Sequence, residues 1–179
     1  MGWETRGLLK PHSLPTLKLP RKIEADPRHQ AVEQFLLNNR QPLWEKGTLL
    51  VPHLAFSPSL ETALIRALDF NHLERGLEHI EETLEREKKG LVALREKQGT
   101  SPVNRVSRLL IIANDGTERF YRACETTLLH HSDRLLCLHV DASSTRLAEN
   151  IFGTDKVLKA LLVSDRDVVT HVLFSLIKS

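Results

Sequence analysis

The sequence predicts an α/β protein: an N-terminal helical region with a long heptad-bearing helix, followed by a small three-stranded parallel βαβαβα module. Three observations carry this expectation. Apolar residues between positions 73 and 94 recur in alternating steps of four and three, the period of a helical seam. Further on, three short apolar runs (Leu109–Ala113, Leu135–Leu138 with Val140, and Leu158–Val163) alternate with helical patterns. Runs that are apolar on both faces belong to strands covered on both sides, as in a parallel sheet joined by helical crossovers.

Composition sets outer limits. With 41% hydrophobic and 27% charged residues, the 179-residue chain has enough apolar mass for a core, which excludes global disorder. Aromatics make up only 5%, so Leu, Ile and Val must fill that core. A net charge of +2 argues against a broad electrostatic nucleic-acid binder. Only the first 56 residues lean basic, with 8 Lys/Arg against 5 Asp/Glu. There is no apolar run of about 18 residues and no signal-type N-terminal stretch, so a cytoplasmic location without membrane contact is expected. Cys124 and Cys137 sit singly in apolar patterns, as buried thiols in a reducing compartment do.

Residues 1–25 form the first unit. Pro11, Pro15 and Pro20 among spaced leucines prevent a regular helix and predict an extended arm. Residues 26–99 form the helical region. Asp26-Pro27 starts a helix to about Asn39 that buries Val32, Phe35 and Leu36. Thr48–Val51 suggests a short edge strand stopped by Pro52. Ser57-Pro58 repeats the cap-plus-proline signature, ahead of Leu60, Ala63, Leu64, Ala67 and Leu68 at helical spacing.

Asn71 with Glu74 resembles a capping box, so the long helix is expected over about 71–98, with Gly99 as its C-cap. Its seam is Leu73, Leu77, Ile80, Leu84, Leu91 and Leu94, and Glu87 fills the one polar position. Each seam residue would contribute roughly 1.5–3 kcal/mol if buried. Such a stripe needs a partner: the helix at 27–39 or 58–69 folding back on it, or a second copy of the chain.

Residues 100–179 form the α/β module. Asn114-Asp115-Gly116 ends its first strand, and Thr117 caps a helix whose inner face is Phe120, Cys124, Thr127 and Leu128. Asp141 ends the second strand, and Ser143 or Ser144 caps a short helix closed by Gly153. Ser164-Asp165 ends the third strand, and a last helix from about Arg166 buries Val168, Val169, Val172, Leu173 and Leu176.

In an open parallel sheet, ligands bind beyond the carboxyl ends of the strands. Asp115, Asp141 and Asp165, with Asp167, are expected to gather there beside Asn114, Gly116, Thr117 and Ser143. Converging carboxylates suit Mg²⁺ and phosphoryl transfer, although the same residue types also serve as helix caps. The chain has no phosphate-binding glycine loop and no serine elbow. Its nine histidines are not spaced as metal ligands, and His130-His131 diverge by roughly 100° on a helix. No cofactor is therefore expected, apart from Mg²⁺ if the carboxylates form an enzyme site.

Two resemblances accompany these residues. The layout of Asn114-Asp115-Gly116, Phe120-Tyr121 and Asp165-Arg166-Asp167 is similar to a toprim domain, a family that cleaves, joins or primes nucleic acids with a metal. That likeness implies a metal role for Asp165 and Asp167, which match the family's DxD. The family's glutamate falls here at Ala113 or Asn114. The αβαβαβα order also resembles the small RNA-binding fold of certain ribosomal and kink-turn-binding proteins. Their RNA-contacting stretch corresponds to Thr100–Arg108, which offers Arg105 and Arg108.

Taken together, these features predict a protein without catalytic activity that self-associates through Leu73, Leu77, Ile80, Leu84, Leu91 and Leu94 and binds a partner or small ligand through its C-terminal module. A homo-oligomer or a helical protein partner is expected. The alternatives are a Mg²⁺-dependent enzyme acting on phosphate esters through the four aspartates, and an RNA-binding module.

Overall fold

In the computed structural model, which describes residues 18–101 and 104–178, the strands are β1 (Arg40–Pro42), β2 (Leu50–Ala55), β3 (Leu73–Arg75), β4 (Arg108–Ile112), β5 (Leu135–Asp141) and β6 (Ala160–Val163). They form one mixed sheet in the order β1-β2-β5-β4-β6-β3. β2, β5 and β4 run parallel, whereas β1, β6 and β3 are antiparallel to their neighbours.

The module of three parallel strands is thereby corrected. β4 and β5 are parallel, but β6 runs against β4, pairing Leu109 with Val163 and Ile112 with Ala160. An unbroken apolar run shows that a strand is covered on both faces without giving its direction. β2 and β3, from region 26–99, pair with β5 and β6, so a single sheet spans residue 100.

Side-chain alternation divides the core into two layers. Leu109, Ile111, Leu138, Val140, Leu161 and Val163 face one cluster, which also takes in Ile23, Val32, Leu60, Leu64, Val169 and Leu173. These come from α1 (Arg21–Glu24), α2 (His29–Asn38), α3 (Pro58–Asp69) and α7 (Arg166–Ser175). Leu110, Ile112, Cys137 and Leu162 face the other cluster, under α4 (Leu77–Gln98) and α5 (Glu118–His130). The short helix α6 (Ser144–Leu147) runs on into a π-helical turn, Ala148–Phe152, which ends at Gly153 with φ of 62°. Only a residue tolerant of positive φ fits that position.

Several local expectations shift by a few residues for identifiable reasons. Asp26 accepts from the Arg28 backbone N–H, and the helix begins at His29 instead of Pro27. β2 passes through Pro52 to Ala55 and is flanked on both sides, with β1 as the edge. The proline is tolerated because its neighbour His53 donates to Asn39 O. Leu73–Arg75 is strand, not helix: Asn71 takes φ of 60°, Gly76 takes φ of 86°, and the segment between them pairs with β6. The caps at Ser57, Gly99, Thr117, Ser143 and Asp165 match the sequence-based expectation.

The predicted arm falls mostly at positions 1–17, outside the described residues; from Lys18 onward it bridges to Arg105. Among the described residues, no helix is long and apolar enough to cross a membrane.

Candidate functional site

β2, β4 and β5 finish at one end of the sheet, and the loops that follow them build a polar surface. Asp115, just past β4, accepts from both the backbone N–H and the hydroxyl of Ser144, at 3.0 and 2.8 Å. Asn114 donates to Asp141 at 2.8 Å. These bonds tie the loop after β4 to the start of α6. Thr117 and Ser143 accept from Phe120 N–H and Arg146 N–H as N-caps.

Gly116 is required by close approach. A Cβ there would lie 2.5 Å from the Phe120 ring and 2.9 Å from Tyr121, and the Gly116 N–H donates to the Tyr121 hydroxyl at 3.0 Å.

Asp165 and Asp167 do not join this group. Because β6 is antiparallel to β4, its last residues lie beside the start of β4, at the opposite end of the sheet. Asp165 caps α7, accepting from Asp167 N–H and Val168 N–H. Asp167 pairs with Lys22 at 2.8 Å, and that ammonium holds its carboxyl below the ordinary range. The expected gathering of four aspartates is therefore split two and two, and the toprim-like arrangement with it. Among the described residues, no group of three or more His, Cys, Asp or Glu is placed to hold a metal ion. Arg105 and Arg108 are engaged within the chain, with Glu24 at 2.9 Å and Glu87 at 3.1 Å.

Two features of this end have no local signature in the sequence. First, cation–aromatic stacks surround it. Arg146 lies 5.3 Å over Phe56, Arg75 lies 4.8 Å over Phe152, and Lys159 lies 6.0 Å from the Phe120 centroid. The last two pairs line one cleft of about 660 Å³, together with the exposed Val157 and Lys156. Arg75 and Arg146 are exposed, whereas the rings beneath them are half-buried (Phe152) and buried (Phe56). The partners in each pair are far apart in sequence, and no local motif points to them.

Second, a buried polar cluster lies beneath the surface, on the α5 side. His139 Nδ1 and His53 Nε2 are 2.9 Å apart, although 86 residues separate them in sequence. The Tyr121 hydroxyl donates to Ala113 O at 2.8 Å and lies 3.4 Å from His139 Nε2. Burial, reinforced by the neighbouring His53, pulls the His139 pKa down to about 4. Burial also lowers His53 and raises the Tyr121 phenol. One proton can sit between the facing ring nitrogens, so the pair is stable neutral and resists double charging. Cys124 and Cys137 are free and buried, and burial pushes the Cys124 thiol up to about 12.

Neither a family model nor a curated protein sequence matches this chain. Among solved structures, a protein of unknown function from Bacillus halodurans C is similar at 12% identity and a TM-score of 0.46, over 68% of this chain and 98% of that one. A Giardia lamblia 15.5kD RNA binding protein is similar at 11% identity and a TM-score of 0.44, over 66% and 82% respectively. At those TM-scores neither likeness bears on function.

Proposed function

We propose that this chain is a binding protein without catalytic activity, and that it takes RNA at the end of the sheet where β2, β4 and β5 finish. The carrying observation is the set of stacks Arg146–Phe56, Arg75–Phe152 and Lys159–Phe120 at that end. Sequence-specific RNA recognition targets unstacked bases, which pile on aromatic rings or guanidinium planes, while neighbouring cations meet phosphates. A cleft that offers both within one rim suits a looped or single-stranded element better than a regular duplex. The absence of catalysis is supported by the aspartates, which are divided between two ends of the sheet and engaged in caps and tethers. The free, buried thiols fit a reducing compartment such as the cytoplasm.

Filter binding with a mixed-sequence RNA pool over a salt series tests this reading. Wild type is expected to bind with a clear negative salt slope. Phe152→Ala should weaken binding by about 5- to 150-fold, as loss of a stacked base does (about 1–3 kcal/mol). RNA retention no better than background at low salt would end the proposal.

A second reading, self-association through α4, is supported by Val92 and Leu94, which are 44% and 48% exposed on its C-terminal half. It uses a different surface and is compatible with the first.

A further inference from the structure

We infer that a basic groove at the opposite end of the sheet binds phosphate groups, and that these belong to the backbone of the same RNA. The second half of this inference rests on the RNA reading above. The groove has a volume of about 840 Å³ and lies between the C-terminal half of α4, the starts of β4 and β5, and the N-terminus of α7.

Its wall holds more positive charge than the described residues neutralise. Arg108 and Arg134 both donate to the single carboxylate of Glu87, which leaves one excess cation between them. The Arg134 side chain is only 9% exposed, and its Nε has no acceptor among the described residues. Arg105, on the same wall, pairs with Glu24 through its terminal nitrogen, while its Nε also has no acceptor among the described residues. At the rim, Arg21 and Arg166 are exposed and have no ion-pair partner among the described residues.

The carboxylates on the same rim do little to offset this. Asp165 spends its oxygen on the N-terminal N–H groups of α7, and Asp167 is paired with Lys22. Converging guanidiniums prefer phosphate, whose oxygens accept two parallel N–H bonds from one fork. The residues that line the groove include no aromatic side chain, so it suits backbone and not bases.

The test uses the full chain with Arg21→Gln/Arg166→Gln, substitutions at exposed positions that leave the core intact. The probes are a fluorescein-labelled 30-nucleotide hairpin RNA with an internal loop, and inorganic pyrophosphate. For the RNA, the double variant should lower the salt slope by roughly 1.5 and weaken binding about tenfold at 0.1 M salt, whereas Phe152→Ala weakens binding with its slope unchanged. For pyrophosphate, wild type should show a saturable rise in Tm that the double variant lacks.

If wild type binds the RNA while the variant keeps both slope and affinity, the groove is not an RNA contact and this inference is overturned, with the RNA reading intact. If the RNA fails to bind but the pyrophosphate response is present and lost in the variant, the groove holds phosphate from a free ligand and the backbone assignment is overturned. Absence of both responses overturns the inference entirely.

Discussion

At the residue scale, His139 makes stability depend on pH. Its pKa is about 4 in the folded chain, because burial and the neighbouring His53 disfavour the charged ring. In the unfolded chain the ring returns to about 6.5. Above that value both states are neutral and the ring adds no pH dependence. As pH falls from 6.5 towards 4, the unfolded chain takes up a proton that the folded chain refuses, and stability drops by up to about 3 kcal/mol. Urea titrations of wild type at pH 7 and pH 4.5 should therefore differ more than those of His139→Gln. Equal differences would remove the histidine from this account. Glu87 is the second decisive residue. It is the one carboxylate shared by Arg108 and Arg134, so Glu87→Gln should cost about 2 kcal/mol or more by leaving two partly buried guanidiniums without a counter-charge. Denaturant midpoints measured at pH 7 check this.

At the element scale, α4 divides into a structural half and a free half. Ile80 and Leu84 are fully buried against the sheet and α5, and Leu77 is half-buried beside them. The helix is held to α5 by Thr127 donating to Glu81 at 2.7 Å and Lys88 donating to His130 O at 3.0 Å. Its partner is therefore α5 with the sheet, neither of the helices expected from the sequence. Leu73 belongs to β3, so of the six seam residues only Leu91 and Leu94 remain beyond the buried turns. Leu84→Ala should cost about 2–5 kcal/mol, whereas Leu94→Ala should change stability by less than about 0.5 kcal/mol. Thermal melts of the two variants make that comparison. Self-association is then testable without unfolding the chain. Sedimentation of Leu91→Glu/Leu94→Glu against wild type should show a loss of mass if α4 pairs between copies, and an unchanged mass would exclude it.

At the scale of the whole molecule, the sheet makes residues 26–99 and 100–179 interdependent. β2 completes the parallel trio beside β5, and β3 covers the outer edge of β6. α3 buries Leu60 and Leu64 in the same cluster as Leu161 and Val169. Residues 100–179 alone would present two open sheet edges and would lose α1, α2 and α3 from one face and α4 from the other. That fragment should give no cooperative thermal transition and little amide-exchange protection, whereas the full chain gives both. A fragment that melted cooperatively would show that the module folds unaided.

Much of the local structure was legible from the sequence. The apolar runs of β4, β5 and β6, the caps at Ser57, Thr117, Ser143 and Asp165, and the Gly99 stop all follow from propensities acting within a few residues. That a loop follows β4 at residues 114–117 is legible for the same reason, because turn chemistry after a strand is local. Strand direction was not legible: β6 has the same apolar face-up, face-down content in either sense, and only its pairing with β4 and β3 settles which end of the sheet receives Asp165 and Asp167. For the same reason the sequence could not show Arg146 over Phe56, Arg75 over Phe152, or His53 against His139, since each pair joins segments that meet only when the sheet closes. By itself, then, the sequence determined the elements and their buried faces, through interactions that need no more than one or two turns of chain. The long helix seen first as a heptad seam was assigned its partner, and most of its burial, by long-range packing alone.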